Sequence, residues 1–173
     1  MTNQSPPDQP TSQPTTVAMT ILSQYVKDLS FENPNAPGIL TLLAQTQPQV
    51  TVNVGVSFRA LGTPPNERAP LTLESVVTIK GEGTLQNQPA FVVECAYGGV
   101  FALPQGLPDN VIRGLMLVEA PRLLFPFARQ MVSEAVMNGG YGPLLVAPVD
   151  FMALHQQQLR GEQLAAQPQA GNA

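Results

Sequence analysis

The chain has little charge, one histidine, one cysteine and no tryptophan. Only 12% of its 173 residues are Asp, Glu, Lys or Arg, about half of the roughly 25% usual in soluble domains. Eight basic residues against twelve acidic ones leave a formal net charge of −4. The basic residues are scattered, which excludes the clustered Lys and Arg by which nucleic-acid binders track phosphate. No apolar run reaches the 18 residues of a membrane-spanning helix, so no insertion into a membrane is expected. With Cys95 alone there can be no intramolecular disulfide framework. GxGxxG, GxxxxGK[ST], HExxH and CxxC are all absent, so the common nucleotide and metal signatures have no place here. Residues 1–16 lack the basic start and apolar stretch of a secretory signal, and the expected location is the cytoplasm.

What the chain does have is apolar residues, 43% of the total, and 18 prolines. Its length suits one domain. Residues 1–16 and 161–173 are polar, with too little apolar material to offset ordering, so both are expected to be disordered or flexible tails around a folded unit at 17–160. Period-two alternation marks the first half as strands. The clearest is 50–60: Val50, Val52, Val54, Val56, Phe58 and Ala60 fall on one face, and Thr51, Asn53, Gly55, Ser57 and Arg59 on the other. A weaker alternation begins at Met19, Ile21, Ser23 and Tyr25, and segments 71–85 and 90–101 complete a set of four. Turn residues at 62–66 and 87–89 make the later links short, which favours an antiparallel sheet. The first link, 31–48, is long enough to cross over part of that sheet.

The second half switches to helical spacing. Asp109 is a candidate N-cap, and Val111, Leu115 and Val118 form one stripe. Pro121 and Pro126 are expected to interrupt the helix, since an interior proline loses a donor and clashes with the preceding turn. A second segment runs through Phe125, Ala128, Val132 and Val136 to Asn138-Gly139-Gly140. A last helix starts at Asp150, with Val149 and Leu154 placed as a hydrophobic staple. Strands first and helices last is the α+β pattern. The stretch 109–138 is apolar on more of its circumference than a monomer's surface helix should be, which points to self-association.

No catalytic constellation can be assembled, and the chain is not expected to be an enzyme or to carry a cofactor or metal. His155 reads as a general base or ligand, or as an exposed or groove-lining helix residue; nothing near it in sequence completes a triad or metal set. Cys95 reads as a nucleophile or, within its strand-like run, as a small buried hydrophobe. Gly98-Gly99 is too short for a phosphate loop and reads as a bend or bulge closing a strand. Asp28 and Glu32 share a face if the chain there is extended, and Glu94 lies on another strand; on one sheet face the three would form a negative patch, or simply a solvated surface.

Three blocks carry a resemblance. They are Tyr25-Val26-Lys27-Asp28-Leu29-Ser30-Phe31-Glu32-Asn33-Pro34-Asn35-Ala36-Pro37, then Val93-Glu94-Cys95-Ala96-Tyr97-Gly98-Gly99-Val100-Phe101, and Leu123-Leu124-Phe125-Pro126-Phe127-Ala128-Arg129 followed by 142–151. In this order they resemble the SecB family of bacterial protein-export chaperones, over roughly residues 20–159. The resemblance implies a four-stranded antiparallel sheet with two helices packed on one face, assembled as a homotetramer, a dimer of dimers. It implies an ATP-independent holdase that binds unfolded secretory precursor proteins and passes them to the SecA ATPase. By motif, Asp28, Glu32 and Glu94 match the acidic positions that meet the zinc-containing tail of SecA. Phe31, Ile39, Leu40, Leu42, Leu43, Phe58, Phe151 and Leu154 are the candidates for the client groove. Two positions depart from the family pattern: Thr46 stands where a tryptophan is common, and His155 replaces an aromatic. Two rivals remain: a SecB-like chaperone of a toxin–antitoxin system, and a small-molecule-binding α+β protein.

Overall fold

The computed structural model describes residues 19–165, with side chains through residue 161. The tail at 1–16 and most of that at 161–173 therefore lie outside the described residues. Four strands, β1 (Thr20–Glu32), β2 (Gln49–Ala60), β3 (Leu71–Leu85) and β4 (Gln88–Leu103), form one sheet in the order β1-β4-β3-β2, with every pairing antiparallel. The β3–β4 hairpin turns on Gln86 and Asn87, both at positive φ (49° and 63°), the backbone that continues strand twist through a two-residue turn. Because β1 and β2 occupy opposite edges, the link at 33–48 has to cross the sheet. It does so with a short 3-10 helix, Gly38–Ala44.

Three α-helices follow, where two were expected: α1 (Asp109–Gly114), α2 (Ala120–Asn138) and α3 (Phe151–Ala165). The prolines do not interrupt 109–138. A π-helical turn, Leu115–Glu119, joins α1 to α2, Pro121 falls in the first turn of α2, and Pro126 lies inside that helix. The wider π turn makes i→i+5 bonds, so it supplies the slack that a proline lacking a donor would otherwise force as a break. Asp109 is the first helical residue and not the cap; Pro108 is the cap, in extended backbone, and Asp109 places a carboxylate in the positive first turn. Asp150 does cap α3: its Oδ1 accepts the Ala153 N–H at 3.0 Å.

α2 lies across β4, β3 and β1, and α3 packs on the π turn, so the second layer is stepped and not a pair of helices side by side on the sheet. Ser75, fully buried, donates to the Met116 carbonyl at 2.9 Å and ties the π turn to the sheet. The core lies between sheet and helices, with Val77, Ile79, Phe91, Val93, Phe101, Met116, Leu124, Ala128 and Val132 at its centre.

Two glycine pairs sit where the chain turns or packs closely. Gly139 leaves room for the ring of Phe31, and Gly140, at φ +91°, turns the chain out of α2. Gly98 and Gly99 do not close a strand, since β4 runs on to Leu103. A Cβ at Gly99 would stand 2.7 Å from Leu124 on the helix side, and one at Gly98 would stand 3.0 Å from the Tyr25 ring on the other.

Candidate functional site

One face of the sheet carries the helices and the other is open among the described residues. The alternation read from 50–60 holds: Val50, Val52, Val54, Val56 and Phe58 pair in register with the helix-facing residues Gly83, Gly81, Ile79, Val77 and Ser75. Thr51, Asn53, Ser57 and Arg59 therefore stand on the open face with Glu74, Lys80 and Glu82.

β1 does not keep one phase. Its register against β4 slips between Ile21 and Ser23 and again between Val26 and Asp28. The second slip inserts Lys27 as an extra residue, and a one-residue bulge changes which side chains face which way. Tyr25, opposite Gly98, faces the open side. Without the slip, Leu29 and Phe31 would follow it there. With the slip, Leu29 and Phe31 pair with Cys95 and Val93 and face the helices, while Asp28 and Glu32 pair with Ala96 and Val92 and face out.

The bulge thus brings the three predicted acidic residues onto one face. Glu94 lies opposite Ser30, between Asp28 and Glu32 on the neighbouring strand. Each is a diagonal neighbour of Glu94, at a separation of about 7–8 Å. Asp28 and Glu32 are exposed and Glu94 is half-buried. Among the described residues none of the three forms an ion pair. No group of three or more His, Cys, Asp or Glu side chains there is placed to hold a metal ion.

The cations of this face are engaged by other carboxylates. Lys80, opposite Glu94, pairs with Glu82 at 2.8 Å. Lys27 reaches past β4 to Glu74, bonding Oε1 at 2.8 Å and Oε2 at 2.9 Å. The Tyr25 hydroxyl donates to Oε1 of the same carboxylate and Arg59 Nε donates to Oε2. Glu74 is 1% exposed. The hydrogen bonds from Lys27, Tyr25 and Arg59 hold its carboxyl down to about 2, while the same contact raises the Tyr25 hydroxyl.

The eight apolar groove candidates fall into two separate regions. Near the crossover, Phe31 stacks on Phe91 at 6.1 Å, and Leu40, Leu42 and Leu43 are half-buried beside it. A cavity of about 140 Å³ opens there, lined by Val50, Phe91, Val136, Tyr141 and Leu144. At the far end of β2, Phe58 borders a second cavity with Arg113, Leu117 and Gln158; Leu154, half-buried, belongs to α3. Ile39 and Phe151 are each 2% exposed and belong to the core, so neither presents a wall to a ligand. Phe151 meets Phe125 edge-on at 5.6 Å.

The strap at 141–150 was not among the candidates. Its Leu144 and Val146, with Leu145 84% exposed, face Pro126, Arg129, Gln130 and Met137 of α2 across an opening of about 490 Å³. An apolar triplet between Pro143 and Pro148, in a segment with no helical or strand period, was the available signal. Tyr141 anchors the strap, its hydroxyl 2.9 Å from both the Ala90 carbonyl and Asn33 Oδ1.

Cys95 is fully buried on the helix side of β4, and burial pushes its thiol up to about 11. That is the setting of a small hydrophobe, since a nucleophile needs a depressed thiol pKa and access. His155 is half-buried on α3, with Nδ1 screened from solvent and unpartnered among the described residues.

Comparison with known proteins agrees along nearly the whole fold. The family model described as preprotein translocase subunit SecB matches residues 12–162. A protein-export protein SecB of Rhodospirillum centenum is 43% identical over 148 residues, 86% of this chain and 83% of that protein. One from Azorhizobium caulinodans is also 43% identical over 148 residues, covering 86% of this chain and 87% of its own. Among solved structures, a SecB-like chaperone of Mycobacterium tuberculosis, in complex with a ChAD peptide from an antitoxin, superposes with a TM-score of 0.54 over 76% of this chain and 90% of its own. At 11% identity that likeness concerns the fold alone.

Proposed function

The chain belongs to the SecB family, and from that premise we propose that it is an ATP-independent holdase that keeps secretory precursors unfolded in the cytoplasm and hands them to SecA. The observation that carries the handover is the face built by the β1 bulge. Asp28, Glu94 and Glu32 stand together on the open side of the sheet, unpaired among the described residues, while the cations beside them are bound elsewhere. Such a surface attracts a cationic partner and is suited to the basic, zinc-bearing tail of SecA.

Client capture belongs to the other side. The apolar openings beside the crossover and between α2 and the strap offer contact worth roughly 25 cal/mol per Å² of apolar surface covered. Such contact has little directional preference, which suits many unrelated unfolded chains. A client spanning several short apolar sites gains avidity without any one tight contact. Self-association occupies a third surface. Val26 and Leu29 of β1 and Leu123 and Phe127 of α2 are each more than 40% exposed, and Phe127 stacks on Tyr97 at 5.9 Å. Apolar exposure of that extent on a strand edge and helix supports assembly into the homotetramer.

The test is an aggregation assay on an unfolded secretory precursor. The purified protein retards aggregation at near-stoichiometric amounts with no nucleotide present. Failure to retard it, or retardation only with ATP, contradicts the reading. The toxin–antitoxin alternative is contradicted by retained SecA binding.

A further inference from the structure

The open face also holds a buried carboxylate that is not part of the acidic surface. Glu74 lies on β3, two strands from β1, and takes Lys27, Tyr25 and Arg59 onto one buried carboxylate. Lys27 directly precedes Asp28 in the chain. Both turn to the open side because Lys27 is the bulged residue. A lysine so placed is the natural counter-ion of Asp28, on a stem long enough to reach it or Glu94. It is instead drawn across β4 to Glu74, a path kept open by Gly98, above which the Tyr25 ring lies.

We infer that Glu74 is a positioning residue for the SecA-binding surface: it sequesters Lys27, so that Asp28, Glu32 and Glu94 meet an incoming cation without competition from the lysine next to Asp28 in the chain. The inference rests on the reading of those three residues as the partner surface. With the Glu74 carboxyl held near 2, the sequestration is in force across the whole neutral range.

Competition and mere support make opposite predictions for a double variant. The probe is a synthetic peptide of the zinc-loaded SecA C-terminal tail, titrated against the full-length protein at low salt. Glu74→Gln keeps the side chain's shape but frees Lys27, and a unit positive charge about 6 Å from Asp28 in a water-like dielectric lowers the peptide's affinity about threefold. Lys27→Met alone changes affinity less than twofold, because in the native protein that ammonium is already held at Glu74, across β4 from Asp28. The double variant Glu74→Gln/Lys27→Met recovers to within about twofold of the unaltered protein, since the competitor is gone. A purely supportive Glu74 would make the double variant as weak as Glu74→Gln or weaker, which overturns the inference. An equal gain from Lys27→Met with or without Glu74 overturns it too. Should Glu74→Gln not fold, Lys27→Met still decides: a gain of threefold or more means that Lys27 was never sequestered. Peptide binding that is indifferent to Asp28→Asn/Glu32→Gln/Glu94→Gln would remove the reading of the surface itself, and is a separate result.

Discussion

On the helix-covered face of the sheet, the buried side chains are nearly all apolar and need no partner, Ser75 with its bond to the Met116 carbonyl apart. On the open face charged side chains stand among the valines, and their arrangement is a matter of which charge meets which. Phe91, Val93, Cys95, Val77 and Ile79 are at most 2% exposed under the helices. They are held by area and fit, and a methylene lost there is felt. On the opposite face, Glu82, Asp28 and Glu32 stand in solvent. The exception among the charged residues of that face is Glu74, 1% exposed and held by three donors. The difference is one of role: the covered face stores most of the stability, and the open face, Glu74 apart, is available for recognition.

The largest expected effect breaks the covered face. Phe91→Ala removes a ring that packs on Phe31 and Tyr141. It should cost about 3–5 kcal/mol in chemical denaturation, against less than about 0.5 kcal/mol for Thr51→Ala on the open side. Similar losses for both would erase the distinction.

Acid sharpens the exception. The Glu74 carboxyl lies at about 2 when folded against an ordinary 4.5, so its contribution to stability is fully present above about 4.5. It is lost as pH falls from there toward 2, because the unfolded chain takes up the proton first. Denaturation midpoints measured between pH 6 and pH 3 should fall, and fall less in Glu74→Gln. An equal slope in both proteins assigns the acid sensitivity to other carboxylates.

A smaller effect comes from the α3 cap. Asp150→Ala leaves the Ala153 N–H without its acceptor and should cost about 1 kcal/mol. The loss should show as faster amide exchange in the first turn of α3, with the sheet unchanged. Cys95 offers a readout with no substitution at all: buried and neutral, it should react with a thiol reagent only as fast as the chain opens.

How much of this was legible in the sequence depended on whether neighbours along the chain carried the information. The face assignment of β2 was plain, because twelve residues keep strict alternation. That of β1 was weak for a physical reason: two register slips reset its phase, so no single period describes it. Asp28 and Glu32 could be seen to share a face, but which face depended on Lys27 being bulged. The long crossover followed from the length of the first link. The continuity of 109–138 was hidden, since a proline is ordinarily a break and the π turn that absorbs Pro121 leaves no signature of its own. Glu74 was invisible as an anchor, because its partners on β1 lie 47 and 49 residues away. The acidic positions came from the resemblance, and the strand register then gave them a common surface.

The central claim is that recognition of SecA and capture of clients sit on opposite sides of one sheet. The direct test is Asp28→Asn/Glu32→Gln/Glu94→Gln, with SecA association and aggregation suppression measured on the same preparation. Three lost attractions of roughly 0.5 kcal/mol each multiply to about a tenfold weaker association with SecA. In the unaltered protein that association should fade with salt, as the screening length drops from about 10 Å at 0.1 M to about 3 Å at 1 M. Suppression of aggregation should stay within about twofold of the unaltered protein and should not fade with salt, since apolar contact is not screened. Parallel loss of both activities in a folded variant of unchanged assembly state would contradict the account, as would retention of both.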